Sequence, residues 1–412
     1  MHKKYEESEM KKKLSIFDIL YIAILLYVFS TVTQTLYPFS LNRIWTIGII
    51  VCLLVKLLKS ANKKTILYLI AICVVGVSTT IFSENIKQNI NDFIYFATAV
   101  LWLIFMSEKK NRTYLYGAVV NNLEMTKVIL ILSFIAVLVP FVTKSGYSYQ
   151  WGEAPYFTGY SGSQHTMASS MCLLTSVYLL LYLRKRFAWW HLVILMLCAY
   201  IVLETGARTF IVPIAILVFY YIQHNIKSIN TRTLVYSIGT FAAIYMVLNS
   251  SMLDKFTFLT SGANMAVNAI DGFTSGRSRF WIVDLDAFVS GNFFQFIFGR
   301  GFDYVYCLNE RMVRMKIWAH NDFIHLLLGG GFLAFSTYVA IMFNCFRNIS
   351  VRQNKLDKIL IVIYVLFPAV FNGFLMYQHL LLSAVFFCIC YEYYINNKIK
   401  NISCGKATNL VD

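Results

Sequence analysis

The chain has 412 residues, of which 58% are hydrophobic and only 14% are charged, and its formal net charge is +16 at pH 7. Soluble domains carry about 25% charged residues, so this composition argues against a set of soluble domains and for a protein embedded in a membrane. In a soluble protein a charge of this sign would suggest a nucleic-acid partner. The distribution of the cations along the chain decides whether such a partner is needed.

Apolar runs close to the ~20-residue length of a membrane-spanning helix recur along the chain. Because helices satisfy their own backbone hydrogen bonds in lipid, we predict an all-α polytopic membrane protein in which residues 1–412 form a single integral membrane domain. About twelve transmembrane helices are predicted, at residues 16–36, 41–58, 65–82, 90–106, 126–143, 166–183, 188–204, 209–223, 233–250, 321–343, 359–376 and 379–396. The run 16–36 has no small-residue cleavage site, which favours a first span over a cleavable signal peptide.

The cations are divided unevenly between the two sides that these spans define. With the N-terminus inside, 25 of the 36 Lys and Arg residues fall on the inner side and 11 on the outer side. The positive-inside rule then predicts a multi-pass protein of the cytoplasmic membrane with both termini in the cytoplasm. The same bias accounts for most of the net charge, so membrane lipid is an expected partner and nucleic acid is not.

One outer segment is unusually long. Residues 251–318, between the ninth and tenth spans, form a large extracytoplasmic loop, and loops of this length are uncommon unless they are functional. Its stretch SGRSRFWIVDLDAFVSGNFFQFIFGRG (275–301) mixes aromatic, aliphatic and charged residues, which predicts a helix lying at the membrane interface. A second outer loop, 144–165, is rich in aromatic residues that suit either stacking on sugar rings or anchoring in the interfacial aromatic belt.

Arg208 lies in a tight outer turn, LETGARTF, at the start of the eighth predicted span. A helix N-terminus presents free N–H groups and the positive end of the helix dipole, and an added arginine makes an anion site suited to phosphate. The alternative is an arginine that extends to the interface and pairs with Glu204, four residues earlier.

Arg277 and Arg279 follow a Ser-Gly turn and precede Trp281 in TSGRSRFW. They either anchor the loop among lipid headgroups, with the tryptophan in the aromatic belt, or they bind substrate. Two arginines from separate loops, Arg208 and Arg277, could clamp a pyrophosphate from both sides.

His320, Asn321 and Asp322 stand where the long loop enters the tenth span. Histidine is the side chain best suited to accept a proton near neutral pH, so His320 is predicted as a base. Asn321 or Asp322 can cap the new helix, and we favour Asp322 for that role. His325 lies on another face and is expected to be packed or hydrogen-bonded within its helix, while Gly329–Gly331 lets a neighbouring helix or a lipid tail approach closely. Ligand spacing for a metal is lacking, so neither a metal nor a cofactor is predicted.

These features occur in a particular order, namely Arg208 between two spans, Ser275–Gly276–Arg277 with Trp281, Phe298–Gly299–Arg300–Gly301, and His320–Asn321 with Ile324, Leu327 and Gly331. In this order and spacing the chain resembles the O-antigen ligase and polymerase family of bacterial surface glycosyltransferases, across its whole predicted topology. Ala334 stands where that family often has a second glycine, and GSQHTMAS (162–169) matches the family's sixth-span entry only loosely.

The resemblance implies a GT-C-like membrane enzyme that moves glycan from an undecaprenyl-pyrophosphate donor to an acceptor hydroxyl, with inversion and without a metal. It implies Arg208 and Arg277 as the catalytic residues that hold the pyrophosphate and His320 as the base. The substrate-binding candidates are Arg279, Asn321 and His165. The expected partners are the undecaprenyl-pyrophosphate-linked oligosaccharide and, from the same pathway, a chain-length regulator and a flippase.

We expect a polymerase of capsule, exopolysaccharide or O-antigen repeat units at the outer face of the cytoplasmic membrane, because no appended acceptor-recognition domain is seen in the sequence. One alternative is a ligase of the same family that transfers the finished glycan to another acceptor. A second is a transporter of lipid-linked sugars, which would need polar groups near the middle of the bilayer. A third is a non-catalytic member of a polysaccharide assembly complex.

Overall fold

The computed structural model describes residues 15–149, 155–182, 188–253, 276–350 and 355–391, and these residues are mostly α-helical with one short β-hairpin. The helices are α1 (Ile16–Val32), α2 (Leu41–Lys59), α3 (Lys63–Ile81), α4 (Ile86–Ser107), α5 (Lys109–Asn121), α6 (Leu123–Val142), α7 (Gln164–Tyr182), α8 (Trp189–Glu204), α9 (Ile211–Asn225), α10 (Ile229–Leu248), α11 (Arg277–Val289), α12 (Phe293–Phe298), α13 (Phe302–Val313), α14 (Asp322–Ser350), α15 (Lys355–Phe371) and α16 (Gln378–Tyr391). The hairpin pairs β1 (Tyr147–Tyr149) with β2 (Pro155–Phe157) in antiparallel fashion.

Seven helices within these ranges are long and apolar enough to cross a membrane, namely α2, α3, α4, α6, α7, α10 and α14. The helices α1, α8 and α16 are apolar but shorter. Each predicted span overlaps one helix, so the class of mostly α-helical membrane protein is confirmed. Twelve crossings, a GT-C-like fold and the orientation of the termini stay predictions.

The first helix, α1, packs within the bundle. Ser15 caps this helix, since its hydroxyl accepts from the Asp18 N–H at 3.2 Å while the Asp18 carboxylate accepts from the Ser15 N–H at 3.0 Å. Apolar residues surround the helix on every side, which is typical of a helix buried within a larger bundle. It packs against α2, α5, α6 and α7.

The long loop that is predicted to be extracytoplasmic is folded where the structure describes it, and α11, α12 and α13, called the outer helices after that prediction, make up most of that part. We predicted one interfacial helix over 275–301, and the structure divides this stretch into α11 and α12. The division falls at Asn292, whose side chain accepts from the Gln295 N–H at 3.0 Å while the Gln295 side chain accepts from the Asn292 N–H at 3.1 Å. This reciprocal cap starts a new helix instead of continuing the old one.

The outer helices are fastened to the membrane helices by buried polar contacts. The Asp303 carboxylate of α13 accepts from the backbone N–H groups of Glu84 and Asn85, at 2.9 and 2.6 Å, in the turn between α3 and α4. The Asn89 side chain accepts from the Phe302 N–H at 2.9 Å. These contacts hold the outer helices over one end of the bundle, where the candidate site lies.

Glycines allow the loop between α12 and α13 to lie directly on α14. The Gly301 N–H donates to the Gly329 carbonyl at 2.9 Å, and a Cβ on Gly299 would stand 2.2 Å from that same carbonyl oxygen. At Gly331 the backbone leaves the helical conformation, with φ 68° and ψ −172°, so α14 is broken there. A neighbouring segment therefore does approach Gly329–Gly331 closely, as the glycine run predicted.

Candidate functional site

His320 lies in the turn that leads into α14, and its backbone has a φ of 52°. A positive φ is uncommon for a residue with a Cβ and is found preferentially where surrounding contacts impose it, often at functional sites. The imidazole is 9% exposed, and its Nδ1 lies 3.0 Å from the Asn372 side-chain oxygen. If that oxygen accepts the Nδ1 proton, the lone pair of Nε2 is left to receive a proton from a substrate.

The cap of α14 is Asn321 and not Asp322, which corrects our preference. The Asn321 side-chain oxygen accepts from the N–H groups of Phe323 and Ile324, at 3.0 and 3.1 Å. Asp322 is directed elsewhere, because its carboxylate accepts from the N–H groups of Phe374 and Leu375, at 2.7 and 3.0 Å. Asp322 thus binds backbone N–H groups that are distant in sequence instead of those at the start of its own helix. The role of Asn321 in substrate binding stays a prediction.

The connection between α15 and α16, residues Phe371–Tyr377 (the 371–377 segment), is a second wall of the site. Its Phe371 carbonyl accepts a hydrogen bond from the Arg277 guanidinium. Gly373 has a φ of 127°, and a Cβ there would stand 2.0 Å from the Trp318 ring. Two consecutive residues of this segment therefore contact the site: Phe371 binds Arg277 of α11, and Asn372 binds His320 of the turn into α14.

Arg277 begins α11 directly after Gly276, whose φ of 80° makes the turn into the helix. The guanidinium is half-buried, and burial lowers the pKa of Arg277 to about 10, with the nearby charge of Arg208 acting in the same direction against the opposing effect of Tyr377. The group stays protonated at neutral pH. Two arginines from segments almost seventy residues apart are thus close enough to act on each other electrostatically.

Arg208 starts a short 3-10 turn, Arg208–Phe210, between α8 and α9. The turn is supported by the β-hairpin, because Tyr156 lies so close to Gly206 that a Cβ there would be 2.5 Å from its ring. Burial lowers the pKa of Arg208, and Tyr156 acts in the opposite direction. The aromatic loop 144–165 thus supports the Arg208 turn, a role that differs from both predicted ones, stacking on sugars and anchoring in lipid.

Glu204 is the ion-pair partner that the alternative interpretation assigns to Arg208. Its buried carboxylate accepts from the Tyr147 hydroxyl at 2.9 Å and from the Ser251 hydroxyl at 3.2 Å. These contacts tie the end of α8 to the hairpin and to the residues that follow α10. Glu204 therefore has a structural role of its own at the base of the turn.

Tyr377 joins the two arginine-bearing regions to the remaining histidine candidate. Its ring centroid lies 5.4 Å from that of Phe210, 5.9 Å from His165 and 6.4 Å from Trp318. Burial raises the pKa of Tyr377 to about 12, although Arg277 acts to lower it. His165 is therefore grouped with Arg208 and Arg277 through a tyrosine that the sequence had not singled out.

Arg279 and Trp281 have different surroundings from Arg277. Because an α-helix turns about 100° per residue, Arg279 leaves α11 on another side, and its part in substrate binding stays a prediction. Trp281 donates its indole N–H to the Ala319 carbonyl at 2.8 Å. This indole therefore ties α11 to the turn that carries His320, whereas the anchoring interpretation put it in the aromatic belt.

His325 is packed, as predicted, but its partner was not foreseen. Its ring lies parallel to Phe302, with centroids 5.7 Å apart, and its Nε2 is 3.3 Å from the Asp92 carboxylate of α4. Both side chains are about 1% exposed. The pair lies beside Trp318, whose ring also contacts His320.

Sequence reasoning missed Asn372, Gly373 and Tyr377, because the stretch FNGFLMYQH (371–379) was divided between two predicted spans. The stretch could have been noticed as a run of polar residues and a glycine in an otherwise apolar region.

Two half-buried arginines, one of them beside a histidine, can bind an anion with a diphosphate-like charge and leave a base beside it. Comparison with protein-family models, curated proteins and solved structures finds no match to the chain.

Proposed function

We propose that the chain is a membrane glycosyltransferase, a polymerase that joins undecaprenyl-pyrophosphate-linked repeat units in capsule, exopolysaccharide or O-antigen synthesis. The reaction would take place at the outer face of the cytoplasmic membrane. The observation that carries the proposal is that Arg277 and His320 are held on the consecutive residues Phe371 and Asn372, while the charge of Arg208, from a third distant segment, lies near enough to Arg277 to lower its pKa.

The two arginines support an anionic headgroup as the ligand. Two like charges in a partly buried region repel each other, and this repulsion adds to the desolvation cost of each charge unless an anion compensates them. A guanidinium offers paired N–H donors that match phosphate oxygens, and two of them can hold both phosphates of a pyrophosphate. The same contacts strengthen as the bond to the leaving group breaks, which is when they lower the barrier.

In the proposed reaction the acceptor hydroxyl oxygen attacks the anomeric carbon of the donor sugar from the face opposite the pyrophosphate. The new glycosidic C–O bond forms while the bond from the anomeric carbon to the pyrophosphate oxygen breaks, so the configuration is inverted. Undecaprenyl pyrophosphate leaves with the bonding electrons, held by Arg208 and Arg277. The hydroxyl proton passes to Nε2 of His320 and then to solvent.

His320 is suited to this role only when the pyrophosphate is bound. Burial and then the charge of Arg277 lower the pKa of His320 to about 3, so the imidazole is neutral but weakly basic. A bound pyrophosphate neutralises the arginine charge and adds negative charge nearby, which raises the pKa of the base. Donor binding would thus switch on proton acceptance.

Three buried ionisable groups beside the site lie near the ends of their helices, which favours chemistry at one end of the bundle over transport through it. His325 is in the first turn of α14 and His379 is the second residue of α16. Asp92 follows the start of α4 by six residues, which corresponds to about 9 Å. A transport path would need such groups near the middle of the bilayer.

The test is to add purified protein to a lipid-pyrophosphate oligosaccharide of one repeat unit and to separate the products by size. The proposal expects a ladder of longer lipid-linked chains, lost in Arg277→Ala. Products without a ladder but with one glycan moved to a different acceptor would indicate the ligase. Absence of any product, with substrate moving between leaflets of a vesicle, would overturn the enzyme in favour of the transporter.

A further inference from the structure

A second charged feature lies at the other end of α14, far from the candidate site. A cleft of about 330 Å³ opens between α14 and α15, and its walls include Phe343, Phe346, Ile361 and Val362. Arg347 and Lys358 line the same cleft. Even from the break at Gly331 to Arg347 the rise along α14 corresponds to roughly 24 Å, so the cleft is not part of the arginine–histidine site.

The apolar walls of the cleft suit a hydrocarbon chain. Phe343 is 65% exposed beside the cleft, as expected for a side chain that faces lipid. Phe346 and Ile349 also border a second, much smaller apolar cavity that Met106 and Cys388 line. A cavity needs only about 10–15 Å³ to hold one water, so the larger cleft has room for many heavy atoms of a larger ligand.

The charges at the cleft suit an anionic headgroup. Arg347 is exposed and Lys358 is half-buried, one on each side of the opening. Lys358 belongs to the first turn of α15, where the positive end of the helix dipole also favours an anion. The carboxylate of that turn, Asp357, is buried against His224 at 3.2 Å, and so its charge is engaged on another side of the helix.

We propose that this cleft binds an anionic phospholipid of the inner leaflet, with its phosphate between Arg347 and Lys358 and an acyl chain along Phe343 and Phe346. The charge distribution predicts this end of α14 to be cytoplasmic, and basic clefts between membrane helices on that side suit anionic headgroups. The site is independent of the proposed glycosyltransferase reaction, because it uses none of its residues.

The experiment is native mass spectrometry of the purified full-length chain in detergent, titrated with phosphatidylglycerol and, separately, with phosphatidylcholine. We expect the wild type to retain one phosphatidylglycerol more tightly than phosphatidylcholine. In Arg347→Ala/Lys358→Ala this preference should fall by about 25-fold, since each cation near an anionic lipid contributes roughly five-fold in affinity. The matched control, Lys59→Ala/Lys63→Ala, removes two exposed cations of the same predicted side that do not line the cleft.

Further arms keep the test decisive. Val362→Phe narrows the cleft without removing charge, so it should weaken retention of both lipids while leaving the protein monodisperse in size-exclusion chromatography. Equal retention of the two lipids by the wild type, or an equal loss in both double variants, would overturn the proposal. Displacement of the lipid by excess glycerol phosphate would also overturn it, because a free phosphate would then be the ligand.

Discussion

At the level of single residues, the site combines charges that are costly in isolation. Arg208 and Arg277 lie within electrostatic range of each other, and Arg277 also lowers the pKa of His320. The charge of Arg208 therefore disfavours the charge of Arg277, and the charge of Arg277 disfavours protonation of His320, unless an anion is bound. Such a cluster of positive charge favours a highly charged anionic ligand. Because the effects of the three residues are coupled, single substitutions are needed to separate their contributions to activity.

Arg208→Ala and Arg277→Ala should each lower the rate of glycan transfer by about 100-fold or more, as removal of a transition-state donor commonly does. Arg208→Lys should recover little of the loss, because an ammonium cannot make paired contacts to phosphate. Steady-state rates with purified protein check this. Arg311→Ala is the control, since that arginine pairs with Glu84 at an exposed site, at 3.3 Å; a comparable loss there would contradict the assignment.

The pH dependence should differ between the free protein and the donor complex. The pKa of about 3 for His320 means that its neutral form persists throughout the pH range 5–8 in the free protein, so kcat/KM should not depend on this group there. In the complex the pKa is raised, the imidazole becomes protonated as pH falls, and kcat should decline on the acid side. His320→Ala should abolish the acid limb along with most of the activity; an unchanged kcat profile in that variant would show that another group accepts the proton.

At the level of secondary-structure elements, the packing of the outer helices on α14 fixes the position of the site. The loop between α12 and α13 lies on Gly329 and Gly331 of α14, and a Cβ on Gly331 would be 2.4 Å from the Ile297 carbonyl oxygen. The conformation of Gly331, with φ 68° and ψ −172°, is one that other residues rarely adopt. The outer helices thus depend on backbone contacts that side chains would prevent.

Gly331→Ala should therefore destabilise the protein by at least about 1–3 kcal/mol from backbone strain alone, with displacement of the outer helices. A lower thermal unfolding temperature in detergent would reveal it. Gly239→Ala in α10 is the matched control, because a Cβ there meets nothing within 4 Å and alanine is the better helix former. Equal stability of the two variants would mean that the close approach at α14 can relax at little cost.

At the scale of the whole molecule, the orientation in the membrane is a prediction from charge alone. In a cysteine-free background, Ser290→Cys in the turn after α11 should react with a membrane-impermeant maleimide on intact cells. Lys59→Cys, at the end of α2, should react only after permeabilisation. Both positions are exposed in the structure, so the reverse pattern would place the candidate site in the cytoplasm and exclude an extracytoplasmic reaction.

Periodicity and hydropathy were sufficient to predict the helices of the apolar runs, because every predicted span overlaps one, and helical backbone is what lipid demands. They did not predict the less apolar helices α5 and α13. They were less informative where tertiary contacts outweighed local preferences. Asp322 has the chemistry of a cap, yet two N–H groups from the 371–377 segment claim its carboxylate. Tyr377 and Asn372 escaped notice for a related reason, since their importance depends on segments that are remote in sequence and become neighbours only through folding.

The position of α11 has a consequence for when the site is competent. This helix is hydrogen-bonded to the residue before His320 and to the residue before Asn372. Trp281 donates to the Ala319 carbonyl, and Arg277 donates to the Phe371 carbonyl. A displacement of α11 would withdraw a cation from the anion site and release, in the same movement, the backbone next to His320 and next to its hydrogen-bond partner Asn372. Donor recognition and proton transfer would then be lost together, so a lipid-linked glycan entering a displaced arrangement would be shielded from wasteful attack by water.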